Sequence, residues 1–266
     1  MLGAIIGDIV GSRFEWNNHR SKDFEFFHSK CFFIDDSIMS LAVTKALLEC
    51  KEDCSNLSEK AVEYMQSIGR NYPNCGYGGR FYGWMFSDHP RPYRSYGNGS
   101  AMRVSACGFV AKSIEEAKEL SKKVTEVTHN HPEGIKGTEA TAVAIFLAKS
   151  GKDILEIRDY IQKHYYPLNF KLDDIRDTYR FNETCQETVP QAIEAFLESN
   201  SFEDAIRNAI SIGGDSDTLA AITGGIVEAY YGIPLEMKRK AMSYLDERLL
   251  KIVIEFEEKY GFILEK

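Results

Sequence analysis

The chain has 266 residues, of which 44% are hydrophobic and 27% charged, with a formal net charge of −8. Length and composition fit one globular domain over residues 1–266 with a substantial core, and the acidic balance argues against an extended surface for a nucleic-acid polymer. No apolar run approaches the ~18 residues of a membrane span, and Asp8 interrupts an apolar N-terminus that no basic residue precedes, unlike a signal peptide.

In chain order, Gly3, Gly7 and Gly11 come first, spaced by four. On a helix they share a face and let a second helix approach closely. Neither the dinucleotide fingerprint nor the Walker pattern surrounds them, so they read as packing glycines. Cys31 to Ile34 fits a short extended piece. Asp36 to Leu48 follows with a helical stripe of Ile38, Leu41, Ala42 and Ala46. Asn71 to Arg80 and Ser87 to Gly99 are irregular and rich in Gly, Pro, Tyr and Arg, which suits ligand-facing loops. Ser113-Ile114-Glu115-Glu116 and Ser201-Phe202-Glu203-Asp204 read as helix starts. Leu219 to Tyr231 reads as a buried helix that ends at Gly232, with Pro234 beyond. A last long helix is expected from Pro234 or Leu235 towards Tyr260. The expected fold is all-α, roughly ten helices in one orthogonal bundle. Of the six cysteines only Cys50 and Cys54 lie close together, and no second pair completes a zinc site. They read as reduced core cysteines of a cytoplasmic protein.

Two acidic clusters stand far apart, each at the start of an apolar helix: Asp35-Asp36-Ser37 and Gly213-Gly214-Asp215-Ser216-Asp217-Thr218. Either cluster alone also fits helix capping. Together they offer four carboxylates and a hydroxyl, and convergence would demand cations to neutralise the repulsion. Oxygen-only ligands suit magnesium, manganese or calcium rather than zinc. An EF-hand is excluded, because Leu219 and Ile226 occupy its fifth and twelfth positions. His129 and His131 form a His-x-His pair without further zinc partners. Arg103 is expected to form a structural ion pair, with a phosphate contact as the alternative.

Five motifs in order carry a family resemblance. They are Gly3-Ala4-Ile5-Ile6-Gly7-Asp8 with Gly11-Ser12-Arg13-Phe14-Glu15; Asp35-Asp36-Ser37-Ile38-Met39; Tyr96-Gly97-Asn98-Gly99-Ser100-Ala101-Met102-Arg103; Thr128-His129; and the Gly213 to Thr218 cluster. Through them the chain resembles the ADP-ribosylglycohydrolases, which include the dinitrogenase reductase-activating glycohydrolase. The resemblance implies an all-α, metal-dependent hydrolase that cleaves ADP-ribose from a protein side chain or small acceptor at a site of two Mg2+ or Mn2+ ions. It implies Glu15, Asp35, Asp36, Asp215, Asp217 and Thr218 as metal ligands, with Asp217 bridging. Glu15, Asp36 and Asp217 would carry catalysis, Glu15 moving protons. Ser95, Tyr96, Gly97, Asn98, Gly99 and His129 would contact substrate, the loop N–H groups cradling phosphates and Tyr96 packing on adenosine. The family usually has threonine on both sides of the paired aspartates, where this chain has Ile34 and Ser37. Isoleucine offers no hydroxyl, so one of the two metals is expected to be held weakly. That departure favours the alternative, an ADP-ribose-binding or crystallin-like structural relative without turnover.

Overall fold

The apolar N-terminal segment folds as α1 (Leu2–Gly11), with every residue buried, in a computed structural model that describes residues 1–261. The remaining helices are α2 (Asp35–Glu49), α3 (Leu57–Gly69), α4 (Gly79–Met85), α5 (Ser105–Val110), α6 (Ile114–Thr125) and α7 (Pro132–Lys149). After them come α8 (Ile154–His164), α9 (Leu172–Ile175), α10 (Cys185–Leu197), α11 (Phe202–Ile210), α12 (Ser216–Tyr231), α13 (Leu235–Met242) and α14 (Glu247–Tyr260). Among the described residues the extended pairing is an isolated bridge between Gly97 and Thr184. The all-α expectation holds, with fourteen helices where about ten were expected from the periodicity. Cys31 to Ile34 forms no strand, because its backbone is bound to Asp8 and to the chain's own turn instead.

Local signals place several boundaries. Ser113 and Ser201 accept hydrogen bonds from the Glu116 and Asp204 N–H groups and so cap α6 and α11. Gly232, at φ 73°, ends α12. The long last helix is instead two. Residues 243–246 turn the chain, and Asp246 caps α14 by accepting the Leu249 N–H, a break that the surrounding helical periodicity concealed.

The centre of the bundle is α12, buried from Ser216 to Val227 and packed against α1, α7, α10 and α11. The glycine face of α1 makes the tightest of these crossings. A Cβ on Gly7 would overlap the Ala220 carbonyl, and one on Gly11 would lie 2.5 Å from the Asp217 Cα. Close packing here fixes where α1 ends relative to where α12 begins, and both ends carry acidic residues. One contiguous apolar core surrounds this pair, and among the described residues no helix is long and apolar enough to cross a membrane.

Candidate active site

Asp8 sits on a helix whose other residues are apolar or glycine, and its carboxylate is fully buried. Its Oδ2 accepts the Ile34 N–H (2.9 Å), the Ser37 N–H (3.0 Å) and the Ser37 hydroxyl. A carboxylate from α1 thus caps α2, whose own cap residue, Ile34, has no side chain that can do so. Ile34 is buried but stands outside the contiguous apolar core. At the other cluster Gly213 and Gly214 adopt φ 72° and 76°, a left-handed pair that only glycine takes without strain. Asn18 Oδ1 accepts the Gly214 N–H at 2.7 Å, and Arg20 donates to the Ile212 and Tyr179 carbonyls. These bonds pin the segment that carries Glu15 against the start of α12. Asp215 does not cap α12 with its side chain; its Oδ2 accepts from Asn98 Nδ2 at 2.6 Å. Helix capping therefore accounts for neither acidic cluster.

The fold brings the clusters together. One carboxylate oxygen each from Asp8, Asp36 and Asp217 lie within 4.8 Å of one another, and so do those of Glu15, Asp215 and Asp217. Asp217 belongs to both groups. Asp8, Asp36 and Asp217 each keep Oδ1 buried with no hydrogen-bond partner. Buried carboxylates without partners cost several kcal/mol each unless a proton or cation neutralises them. Accordingly burial, opposed by its hydrogen bonds, raises Asp8 to about 7. Burial, then the charges of Asp215 and Asp8, raises Glu15 to about 7. Asp215 rises to about 6 through burial, restrained by the Asn98 amide. Asp35, Asp36 and Asp217 are pushed well above the ordinary carboxylate range by burial and then by neighbouring carboxylates. Orphaned, all-oxygen donors on this scale fit a hard divalent cation. Thr218 Oγ1 lies 3.4 Å from Asp36 Oδ2, within the same set. Asp35 belongs to neither group and lines the adjoining cleft.

That cleft has a volume of about 270 Å3, with Glu15, Asp35, Asp215, Asp217 and Thr218 at one end. Its walls come from the two irregular loops, through Gly76, Gly78, Gly79 and Arg80 and through Tyr93, Ser95 and Gly97 to Gly99, and from His129. Asp36 lies behind the surface and does not line it. Tyr96 is 45% exposed, with its ring against His131, and is not part of the lining. The phosphate cradle expected of residues 96–101 also differs in detail. The Gly97, Asn98 and Ser100 N–H groups are bonded to Ser95 Oγ, the Glu183 carbonyl and the Gly97 carbonyl. The segment is a 3-10 turn (Asn98–Ser100), and α5 starts only at Ser105, so no helix N-terminus points from this loop. Arg103 makes no ion pair among the described residues, and its Nε is buried without a partner. It is fully buried, donates to Thr128 Oγ1 at 2.6 Å and lies over the Phe81 ring, while burial lowers it to about 10. The apolar surroundings of its guanidinium hold no carboxylate to pair with.

Sequence reasoning passed over several of these residues. Asp8 was given no role, though it is a carboxylate in an otherwise apolar run and closes the first motif. Phe181 and Glu183 line the cleft from a segment with no motif, and Phe181 stacks at 5.1 Å on Trp16, which is 79% exposed beside Glu15.

The family model described as ADP-ribosylglycohydrolase matches residues 1–260. Curated relatives include an ADP-ribosylhydrolase ARH3 from Xenopus tropicalis, 25% identical over 92% of this chain and 91% of that protein. The human ADP-ribosylhydrolase ARH3 is 24% identical over 88% of this chain and 84% of its own length. An ADP-ribosylarginine hydrolase, Tri1, from Pseudomonas putida is 25% identical over 88% of this chain and 70% of that protein. Among solved structures, one titled "ADP-ribosylglycohydrolase-related protein complex" superposes with a TM-score of 0.67 at 19% identity over 97% of both chains, a likeness of fold.

Proposed function

Because the chain belongs to the ADP-ribosylglycohydrolase family, we propose that it hydrolyses the glycosidic bond joining ADP-ribose to a protein side chain or small acceptor. The observation that carries this reading is the trio of buried, partnerless Oδ1 atoms of Asp8, Asp36 and Asp217. No donor among the described residues reaches them, and they adjoin a cleft large enough for part of a nucleotide sugar.

The oxygen set of Glu15, Asp8, Asp36, Asp215, Asp217 and Thr218, with Asp35 beside it, would hold two magnesium or manganese ions, which would neutralise the acidic end and orient the ribose hydroxyls. Asp217, common to both oxygen groups, would contribute to holding both ions. The carboxylates favour the positive charge that develops on a ribosyl ring as its bond to the acceptor breaks. Glu15, half-buried at the cleft, would move the proton; in the cation-free protein burial and neighbouring acids raise it to about 7. Asn98 orients Asp215. Ser95, Gly97, Gly99 and His129 would face the ligand from the wall, and Phe181, stacked on Trp16, lines the same cleft. Tyr96 would have to turn inward to stack on adenosine.

The test is incubation with ADP-ribosylated arginine and serine peptides, with and without manganese, reading free ADP-ribose. Arginine is the first acceptor to try, given the name of the Pseudomonas relative. Manganese-dependent release supports the proposal. Tight ADP-ribose binding without release from either peptide favours the non-catalytic alternative, to which Ile34, offering no hydroxyl beside Asp35, points.

A further inference from the structure

His129 is nearly buried on the cleft wall, and its Nδ1 lies 2.7 Å from Thr128 Oγ1. Which of the two atoms donates decides what the ring shows the ligand, and the surrounding hydrogen bonds resolve it. Thr128 Oγ1 accepts from Arg103 Nη2 at 2.6 Å, and an arginine can only donate. The hydroxyl proton then has two destinations, His129 Nδ1 at 2.7 Å or the Thr125 carbonyl at 3.3 Å. That carbonyl already accepts the Thr128 N–H (3.0 Å) and the His129 N–H (2.8 Å), which engage both of its lone pairs. The short bond to Nδ1 is the open one. The guanidinium also polarises the hydroxyl, making it a better donor and a poorer acceptor.

We propose that Thr128 and Arg103 are positioning residues that hold His129 as its Nε2–H tautomer, so that the ring offers the bound ADP-ribosyl group a hydrogen-bond donor at the cleft. Nε2 has no hydrogen-bond partner among the described residues and faces the loop at Gly97 and Gly99. The ring stays uncharged, because burial and then the charges of Arg103 and Arg80 lower His129 well below the usual histidine range. A fixed donor prefers an acceptor atom, such as a phosphate oxygen or a ring nitrogen, over a donor at that place. It also gives a role to a fully buried arginine without a carboxylate beside the cleft. The ligand named here rests on the functional reading above; the tautomer does not.

The experiment is nitrogen-15 NMR of the His129 ring in the full chain without ligand, with ADP-ribose affinity measured alongside for the natural protein, Thr128→Val and Thr128→Ser. Expected is a pyridine-like Nδ1 and a pyrrole-like Nε2 in the natural protein. Thr128→Val should mix or reverse the pattern and weaken ADP-ribose binding about tenfold, the scale of one lost hydrogen bond, and Thr128→Ser should restore both. A protonated Nδ1 in the natural protein overturns the proposal, and this holds even where Thr128→Val fails to fold. A Thr128→Val protein that keeps either the tautomer or the affinity overturns it too. Failure of the natural protein to bind ADP-ribose would count against the functional reading, while the ring spectrum would still decide the tautomer.

Discussion

Replacing Asp8 by asparagine should stabilise the cation-free protein and weaken its response to cations. Asp8 Oδ2 accepts three hydrogen bonds from Ile34 and Ser37, while Oδ1 is buried without a partner near Asp36 and Asp217. An asparagine oxygen can keep the first role, and its amino group can donate to the neighbouring carboxylates. The substitution removes the cost of burying a charge: the rise of Asp8 from 3.8 to about 7, caused by burial, corresponds to ~4 kcal/mol. The weaker hydrogen bonds to a neutral oxygen return part of this, roughly 0.5–1 kcal/mol each, leaving a net gain of ~1–3 kcal/mol. At about 2 °C per kcal/mol for a chain of this length, Tm in a chelator at pH 7.5 should rise by about 2–6 °C. With manganese the difference narrows. The natural protein gains ~2.7 kcal/mol at a hundredfold excess over Kd, and an amino group gives the variant no ligand. Thermal unfolding of both proteins in chelator and in manganese checks this. A lower Tm for Asp8→Asn in chelator, or an undiminished manganese shift, would refute the reasoning.

Other outcomes follow from the same geometry. Asp217→Ala should lose activity and the manganese-dependent Tm shift together, because Asp217 is common to both oxygen groups; retention of the full shift would remove its bridging role. The chelated protein should lose stability between about pH 4 and pH 7: Asp8 and Asp215 are raised to about 7 and 6 when folded, so the folded state holds protons there that the unfolded chain has released. Urea midpoints at pH 5 and pH 7.5 read this, and equal midpoints would contradict the burial of charge. Ile34→Thr places a hydroxyl beside Asp35 and should raise turnover at limiting manganese, tightening the weaker of two sites; identical titration curves would show that the missing hydroxyl is irrelevant. Tyr96→Ala should weaken ADP-ribose binding about tenfold if its ring turns inward to stack. An unchanged affinity, with a loss in Phe181→Ala, would move the stacking role to Phe181, which lines the cleft without rearrangement.

Local chemistry determined much of this protein before any folding was considered. Ser113 and Ser201 announce helix starts because a hydroxyl satisfies an N–H three residues on, within the reach of the sequence itself. Gly232 announces a helix end for a similar reason, and the glycines of α1 announce a close crossing, though not the partner. The acidic clusters were legible as ligands in waiting, and the order of the motifs resembled a family that the chain proves to match from residue 1 to 260. Tertiary structure alone decided the rest, because each remaining feature depends on atoms far apart in the chain. Asp8 caps a helix that begins 27 residues later and completes the carboxylate trio, so a residue that read as a flaw in an apolar run is part of the site. Asn98 orients Asp215 across 117 residues. Arg103 was expected to find a carboxylate and instead meets a threonine and an aromatic ring. Helical periodicity specifies which face of a segment is buried, but not which segment covers it. Whether a buried polar group is capped, paired or left open to a ligand is set by that covering segment.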